Sequence, residues 1–405
     1  MSIDPPTAFT NPFRPGAGHR PPYLAGRLAE QKEFEKLLDQ EIILENPLLT
    51  GQRGVGKTVL LETFKPLALQ KGWIWVGTDL SESASVSEEA LAIRLMADLS
   101  VATSTLVMEE AEAVGFAGER QEVHLDFEAL SRIFAATPGL IEYKLKAVLE
   151  VAARAIARDG NRGVVFAYDE AQNLADSEKQ DQFPLSLLLD VFQSIQRKEI
   201  PFMLALTGLP TLFPKLVEAR TFTERMFRVI VLDKLDPESS REAILKPIDD
   251  ANCPVKFTDD SVEMIVKQSG GYPYFIQFIC REVFDSFVLM QRQEAPVPYS
   301  VPLDAITLKL DSDFFAGRWA RATDRQRDLL WAIATLGKPD EEFTVQEVVE
   351  ASKQLEKPFT SSHVNQMLVS LCGAGLVYKN RFGKYSFAVP LFDRFILRQI
   401  PLGAG

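Results

Sequence analysis

Only three cysteines occur in 405 residues. Cys253, Cys280 and Cys372 lie far apart and are odd in number. That excludes a disulfide or cysteine-rich metal framework and reads as small buried hydrophobes in a reducing, cytoplasmic setting. Histidine is as scarce. His19, His124 and His363 are isolated, so a histidine-rich metal site is excluded. No run approaches the roughly 20 apolar residues of a membrane helix, and Met1 to Pro22 has no apolar stretch of the signal-peptide kind. No membrane partner is expected. Basic residues are also short, 44 against 56 acidic, for a net charge of −12. Such a balance argues against a protein that coats nucleic acid over its whole surface. What is present is ordinary for a globular protein, 46% apolar and 25% charged, which excludes a disordered or collagen-like chain. The length suggests two or three domains.

The charge is uneven. Between Ser81 and Leu130 eleven acidic residues face only Arg94 and Arg120, a balance of −9. From Ser361 to Ile400, Lys379, Arg381, Lys384, Arg394 and Arg398 face Asp393, a balance of +4. A basic end on an acidic body allows local DNA contact and does not require it.

Residues 1–22 carry six prolines, which fix φ and remove donors, so an extended arm is expected. Leu28–Leu38 has amphipathic helical spacing. Pro47 opens a short strand, Leu48–Thr50, that stops at Gly51, and helical spacing resumes at Lys57. The apolar runs Trp73–Thr78, Val164–Tyr168, Phe202–Leu206 and Val229–Leu232 read as buried strands. Helical patterns at Glu88–Leu99, Glu142–Arg158 and Leu185–Ile195 separate them. Alternation of this kind predicts an α/β fold, a mainly parallel sheet covered by helices on both faces. The core spans 23–235 and includes an acidic, helical excursion at about 81–150, a solvated surface or partner platform. Helices at 236–291 follow, then a Pro-rich linker at 292–303. Over 304–405, helices near Asp324–Leu336, Val345–Leu355 and Ser362–Cys372 precede two strands, Leu376–Tyr378 and Tyr385–Val389. Three helices and a basic-tipped hairpin make a winged helix.

Gly51-Gln52-Arg53-Gly54-Val55-Gly56-Lys57-Thr58 matches G-x-x-x-x-G-K-[ST] in full. Glycines let the backbone N–H groups turn toward phosphates, and the helix that follows presents its positive end to the same anion. Lys57 would reach the β- and γ-phosphates of ATP, and Thr58 would bind Mg²⁺. The buried strand ending in Asp169-Glu170 delivers two carboxylates where open α/β sheets bind ligands. Asp169 would complete the Mg²⁺ shell, and Glu170 would orient and deprotonate the attacking water.

With these motifs the sequence resembles the AAA+ P-loop ATPases, in particular the group of origin-recognition-type initiators and STAND ATPases. The resemblance runs from about Tyr23 to Gln291, and the winged helix extends it. It implies a nucleotide site made by Gly51 to Thr58 with Val59, and by Leu24 within the Gly-Arg box Tyr23–Arg27, beside the adenine. Thr207 falls where the family keeps a polar sensor of the γ-phosphate, or else caps a turn into Pro210. Arg225 falls where the family keeps an arginine finger aimed at a neighbouring subunit, with Arg228 as the alternative. Gly270–Tyr274 looks like the lid motif, with Pro273 near the base. Here the sequence departs from initiators, because Pro273 and Tyr274 stand where they commonly carry an arginine.

Two functions follow as expectations. One is an ATPase that couples nucleotide state to assembly on a partner, as a nucleotide-dependent homo-oligomer on duplex DNA. The other is a STAND-type switch with slow turnover whose winged helix docks an effector protein. Lys379, Arg381 and Lys384 would contact DNA phosphates, and His363, Asn365 and Gln366 would face bases. The candidate recognition helix itself carries no Lys or Arg.

Overall fold

A computed structural model describes residues 10–16, 18–77, 79–80, 87–110, 121–253, 255–381 and 383–399, without the side chains of 108–110, 121–123 and 381. The chain divides into two compact units. One holds residues 27–51 and 57–232, and the other the described residues of 1–26, 52–56 and 233–405.

The first unit is built on five parallel strands. These are β1 (Asn46–Gly51), β2 (Trp73–Val76), β5 (Gly163–Tyr168), β6 (Phe202–Gly208) and β7 (Phe227–Leu232). Their order is β2-β5-β6-β1-β7, with every pairing parallel. Strands β1, β5 and β6 are buried along their whole length, which is why their sequences read as continuous apolar runs. The helices are α1 (Leu28–Leu38), α2 (Lys57–Gln70), α3 (Glu88–Thr103), α4 (Phe127–Ala136), α5 (Ile141–Arg158), α6 (Pro184–Gln196), α7 (Leu212–Ala219) and α8 (Thr223–Met226). Phe166 of β5 packs edge-on against Phe192 of α6 at 5.1 Å and lies 5.5 Å from Phe202 of β6. Strand order places the C-terminal ends of β5, β6 and β1 side by side. That is the rim where ligands bind in open α/β sheets.

Two details differ from expectation. Pro47 sits second in β1, not first. Pairing with β6 begins only at Leu48, and the buried Asn46 side chain accepts from the Leu204 N–H at 2.7 Å and donates to the Met226 carbonyl at 3.1 Å. The start of the ladder is therefore satisfied without a donor from proline. The acidic excursion is not helical throughout. β3 (Val107–Glu110) and β4 (Gln121–His124) pair as an antiparallel ribbon, with Val107 opposite His124. Four-residue strands are too short to declare a period of two. Residues 81–86 and 111–120 of the excursion lie outside the described residues, as do the first nine of the Pro-rich arm.

In the second unit, α9 (Pro237–Asp250), α10 (Asp259–Ser269) and α11 (Pro273–Arg292) form a helical group. Gly271 has φ +79, and a Cβ there would lie 2.5 Å from the Leu235 carbonyl, so the turn into α11 requires glycine. The arm docks on α11. Phe13 is buried between Phe257 (6.2 Å) and Phe284 (6.5 Å), and the Asn11 amide donates to the Arg281 carbonyl at 2.9 Å. Further on come α12 (Leu303–Leu310), α13 (Ala316–Trp319), α14 (Asp324–Ala334), β8 (Phe343–Thr344), α15 (Val345–Ala351) and α16 (Ser361–Gly373). Strands β9 (Val377–Arg381) and β10 (Lys384–Phe387) and helix α17 (Phe392–Gln399) close the chain. The sheet order β8-β10-β9 is antiparallel.

Candidate functional site

Strand β1 ends at Gly51, and α2 begins at Lys57. Between them Gly54 and Gly56 take φ +80 and +93. A Cβ on Gly56 would meet nothing within 4 Å, so glycine is needed there for its backbone conformation and not for space. The buried Lys57 donates from Nζ to the Gly51 carbonyl at 2.9 Å, closing the loop on itself. Val59 is half-buried in the first turn of α2.

Asp169 follows β5 and is 4% exposed. Its carboxylate accepts hydrogen bonds from the Thr58 hydroxyl and, on the other oxygen, from the Thr207 hydroxyl. Three segments separate in sequence therefore meet at one carboxylate. Thr207 is fully buried on β6. Its hydroxyl donates to Asp169. Glu170 has φ +52, left-handed for a non-glycine residue, and its N–H donates to Asp169 Oδ1 at 2.7 Å. This backbone turn carries the half-buried Glu170 side chain out of the line of the strand. Its carboxylate accepts from the side-chain amide of Gln172, the fourth residue of the Asp169-Glu170-Ala171-Gln172 stretch. Gln172 also accepts from the Leu209 N–H at 3.2 Å and, through its carbonyl, from Lys215 Nζ at 2.7 Å. Burial holds the Lys215 pKa below the ordinary lysine value.

The Thr58 hydroxyl and the Asp169 carboxylate are adjacent hard oxygen donors. This set fits Mg²⁺, which keeps most of its shell as water and substrate oxygens and takes few protein ligands. No cluster of three or more His, Cys, Asp or Glu suited to a metal exists among the described residues.

Arg225 is exposed at the end of α8, without an ion-pair partner among the described residues. Arg228 is exposed on the edge strand β7 and pairs with Glu33 at 2.8 Å. In the second unit, the Tyr23 hydroxyl lies 3.3 Å from Glu242, and Leu24 is half-buried. Pro273 is the first residue of α11, where its missing N–H costs nothing. On α16, Ser362, His363, Asn365, Gln366 and Val369 are exposed, and the Asn365 amide donates back to the Ser361 carbonyl at 2.9 Å. Lys379 is exposed on β9, and Lys384 opens β10 opposite Arg381. The Arg381 side chain lies outside the described residues.

A family described as Domain of unknown function (DUF8462) matches residues 312–396. No curated protein sequence matches the chain. Among solved structures, the Walker-type ATPase of Pyrococcus abyssi superposes with TM-score 0.54 at 17% identity, over 93% of this chain and 97% of that one. The ORC2 protein of Aeropyrum pernix in its ADP form superposes with TM-score 0.53 at 13% identity, over 96% and 98%. The same protein in ADPNP-ADP complexes gives 0.51 at 13%, over 95% and 97%. The chain has a P-loop NTPase fold, a parallel sheet with surrounding helices, and shares it with these solved structures. No helix among the described residues is long and apolar enough to cross a membrane.

Proposed function

We propose that the chain binds and hydrolyses ATP and couples its nucleotide state to assembly on duplex DNA. The observation that carries this reading is the convergence of Thr58 and Thr207 on Asp169, beside the closed loop of Gly51 and Lys57. The N–H groups of Gln52 to Thr58 cradle the phosphates, and Lys57 neutralises the β- and γ-oxygens. Thr58 and Asp169 would hold the metal, and Mg²⁺ when bound would offset charge on the transferring phosphoryl group. Glu170, turned by its left-handed backbone and steadied by Gln172, accepts the proton of the attacking water. Thr207 fixes the Asp169 carboxylate and senses the terminal phosphate. Leu24 and Pro273 flank the base. Structures of the same fold hold ADP or ADPNP in the Aeropyrum protein, which supports a nucleotide as ligand. The reading is tested by measuring phosphate release with and without duplex DNA, with the molecular mass followed in ADP and in ATP. Stimulation by DNA supports it.

Residues 304–399 act in this reading as a winged helix whose wing touches phosphates through Lys379, Arg381 and Lys384. Neutralising all three should weaken DNA binding and flatten its salt dependence, by about 0.9 in log–log slope for each phosphate left unneutralised. An unchanged slope would move the DNA surface elsewhere. The uncharged outer face of α16, with Val369 at 71% exposure, favours a second reading in which the module docks an effector protein and turnover is slow. Wild type that does not bind duplex DNA would select that second reading.

Arg225 is proposed as a finger acting on a neighbouring subunit's nucleotide, where a guanidinium stabilises charge in transfer. Arg225→Ala should bind ATP normally and hydrolyse it poorly. Mixing it with Lys57→Ala should restore activity, because an intact Arg225 then faces an intact Lys57 site. A rate independent of protein concentration, with no rescue on mixing, would make the monomer the active unit.

A further inference from the structure

Within the second unit, the variable residues of the phosphate loop are engaged by residues far along the chain. The Tyr272 hydroxyl lies 2.9 Å from Gln52 Oε1 and 2.7 Å from Asp340 Oδ1. Lys234 holds the other Asp340 oxygen at 2.6 Å. Arg53 lies over the turn after α16, where a Cβ on Gly375 would stand 3.6 Å from its Nη2. Tyr274 sits on the loop itself. Its N–H reaches the Gly54 carbonyl at 3.4 Å, and its Cβ lies 3.7 Å from where a Gly54 Cβ would be. The Tyr274 ring is 5.1 Å from that of Phe314, and the Arg318 guanidinium stands 4.3 Å from the Phe314 centroid. One guanidinium nitrogen of Arg318, Nη1, donates to the Phe314 carbonyl.

This stack brings Arg318 within electrostatic range of Arg53, with Arg321 nearby. None of the three has an ion-pair partner among the described residues. Asp313, whose charge is felt at Tyr274, accepts from the Ser312 hydroxyl and from none of these arginines. Burial first, and then Arg53, holds the Arg318 pKa below the ordinary guanidinium value. Like charges gathered without a counter-charge disfavour the ligand-free state, and an anion relieves them.

We infer that Arg318, supported by Arg53 and Arg321, is a phosphate-binding residue for the nucleotide, and that the C-terminal segment thereby supplies a cation absent from the Gly270–Tyr274 turn. This rests on the reading of Gly51–Thr58 as the nucleotide's phosphate loop. The arrangement selects for charge. A triphosphate carries one negative charge more than a diphosphate, so a cluster of three cations favours ATP over ADP. The planar guanidinium stacks on Phe314 and spends Nη1 on the backbone, which leaves its other N–H groups to meet phosphate oxygens.

The test titrates wild type and Arg318→Gln with ADP and with a non-hydrolysable ATP analogue at fixed ionic strength and Mg²⁺. Glutamine keeps methylenes to lie on Phe314 and removes the charge. The analogue should bind about tenfold more weakly and ADP less than about threefold, as expected when one charge-assisted hydrogen bond is removed. The nucleotide-free unfolding midpoint should equal or exceed that of wild type, since a like-charge repulsion is gone. Arg318→Lys should keep most of the preference for the triphosphate. Equal loss for both nucleotides with a lowered midpoint would make Arg318 a packing residue and overturn the inference. Unchanged nucleotide affinity with weakened duplex DNA binding would assign the cluster to DNA and overturn it as well. Should Arg318→Gln fail to fold, Arg321→Gln at an exposed position must narrow the ATP preference, or the inference falls. A wild type that binds neither nucleotide would overturn the loop reading itself, and this inference with it.

Discussion

Lys57→Ala is expected to lower the affinity for ATP and ADP by about 100-fold while leaving the chain folded. Two charge-assisted contacts to phosphate oxygens are removed, each worth about 1.5 kcal/mol net, and about 3 kcal/mol corresponds to two decades. The fold should survive because Lys57 opens α2 without packing into the apolar core. Alanine also has the best helix propensity. Equilibrium titration with a fluorescent nucleotide, alongside thermal unfolding, measures both halves. Wild-type affinity in this variant would remove Lys57 from the site.

Glu170→Gln should retain ATP and Mg²⁺ binding and lose turnover by about 10²- to 10⁴-fold, the usual contribution of a general base. The substitution leaves size and the left-handed turn unchanged and removes the capacity to take a proton. The Asp169 links to Thr58 and Thr207 do not involve Glu170, so the metal donors keep their places. Phosphate release under saturating Mg·ATP, with bound nucleotide measured in the same sample, separates the two effects. An unchanged rate would mean that another group takes the proton.

Both variants fall in the part of the molecule most legible in its sequence. Val164–Tyr168 and Phe202–Leu206 are apolar on both faces because helices cover both sides of the sheet, and continuous burial leaves an unmistakable pattern. The phosphate loop is legible because positive-φ glycines at fixed offsets are a backbone requirement written directly in residue type. Gln172 was not legible as a positioning residue. Its role depends on the ends of β5 and β6 being neighbours, which is topology and not local pattern. The ribbon of β3 and β4 was hidden by the acidity and brevity of its strands. Phe13 was hidden in the Pro-rich arm, where one aromatic residue has no periodicity to declare that it is buried. Arg318 carries no motif at all. Its interest comes from Phe314 and Tyr274 setting it beside Arg53, a juxtaposition that only folding creates.

The most direct measurement is calorimetric titration of the wild-type chain with ATP, in Mg²⁺ and in EDTA. Binding through Lys57, Thr58 and Asp169 predicts one saturable site per chain that tightens when Mg²⁺ is present. Heat that does not saturate, or an affinity indifferent to Mg²⁺, would contradict it.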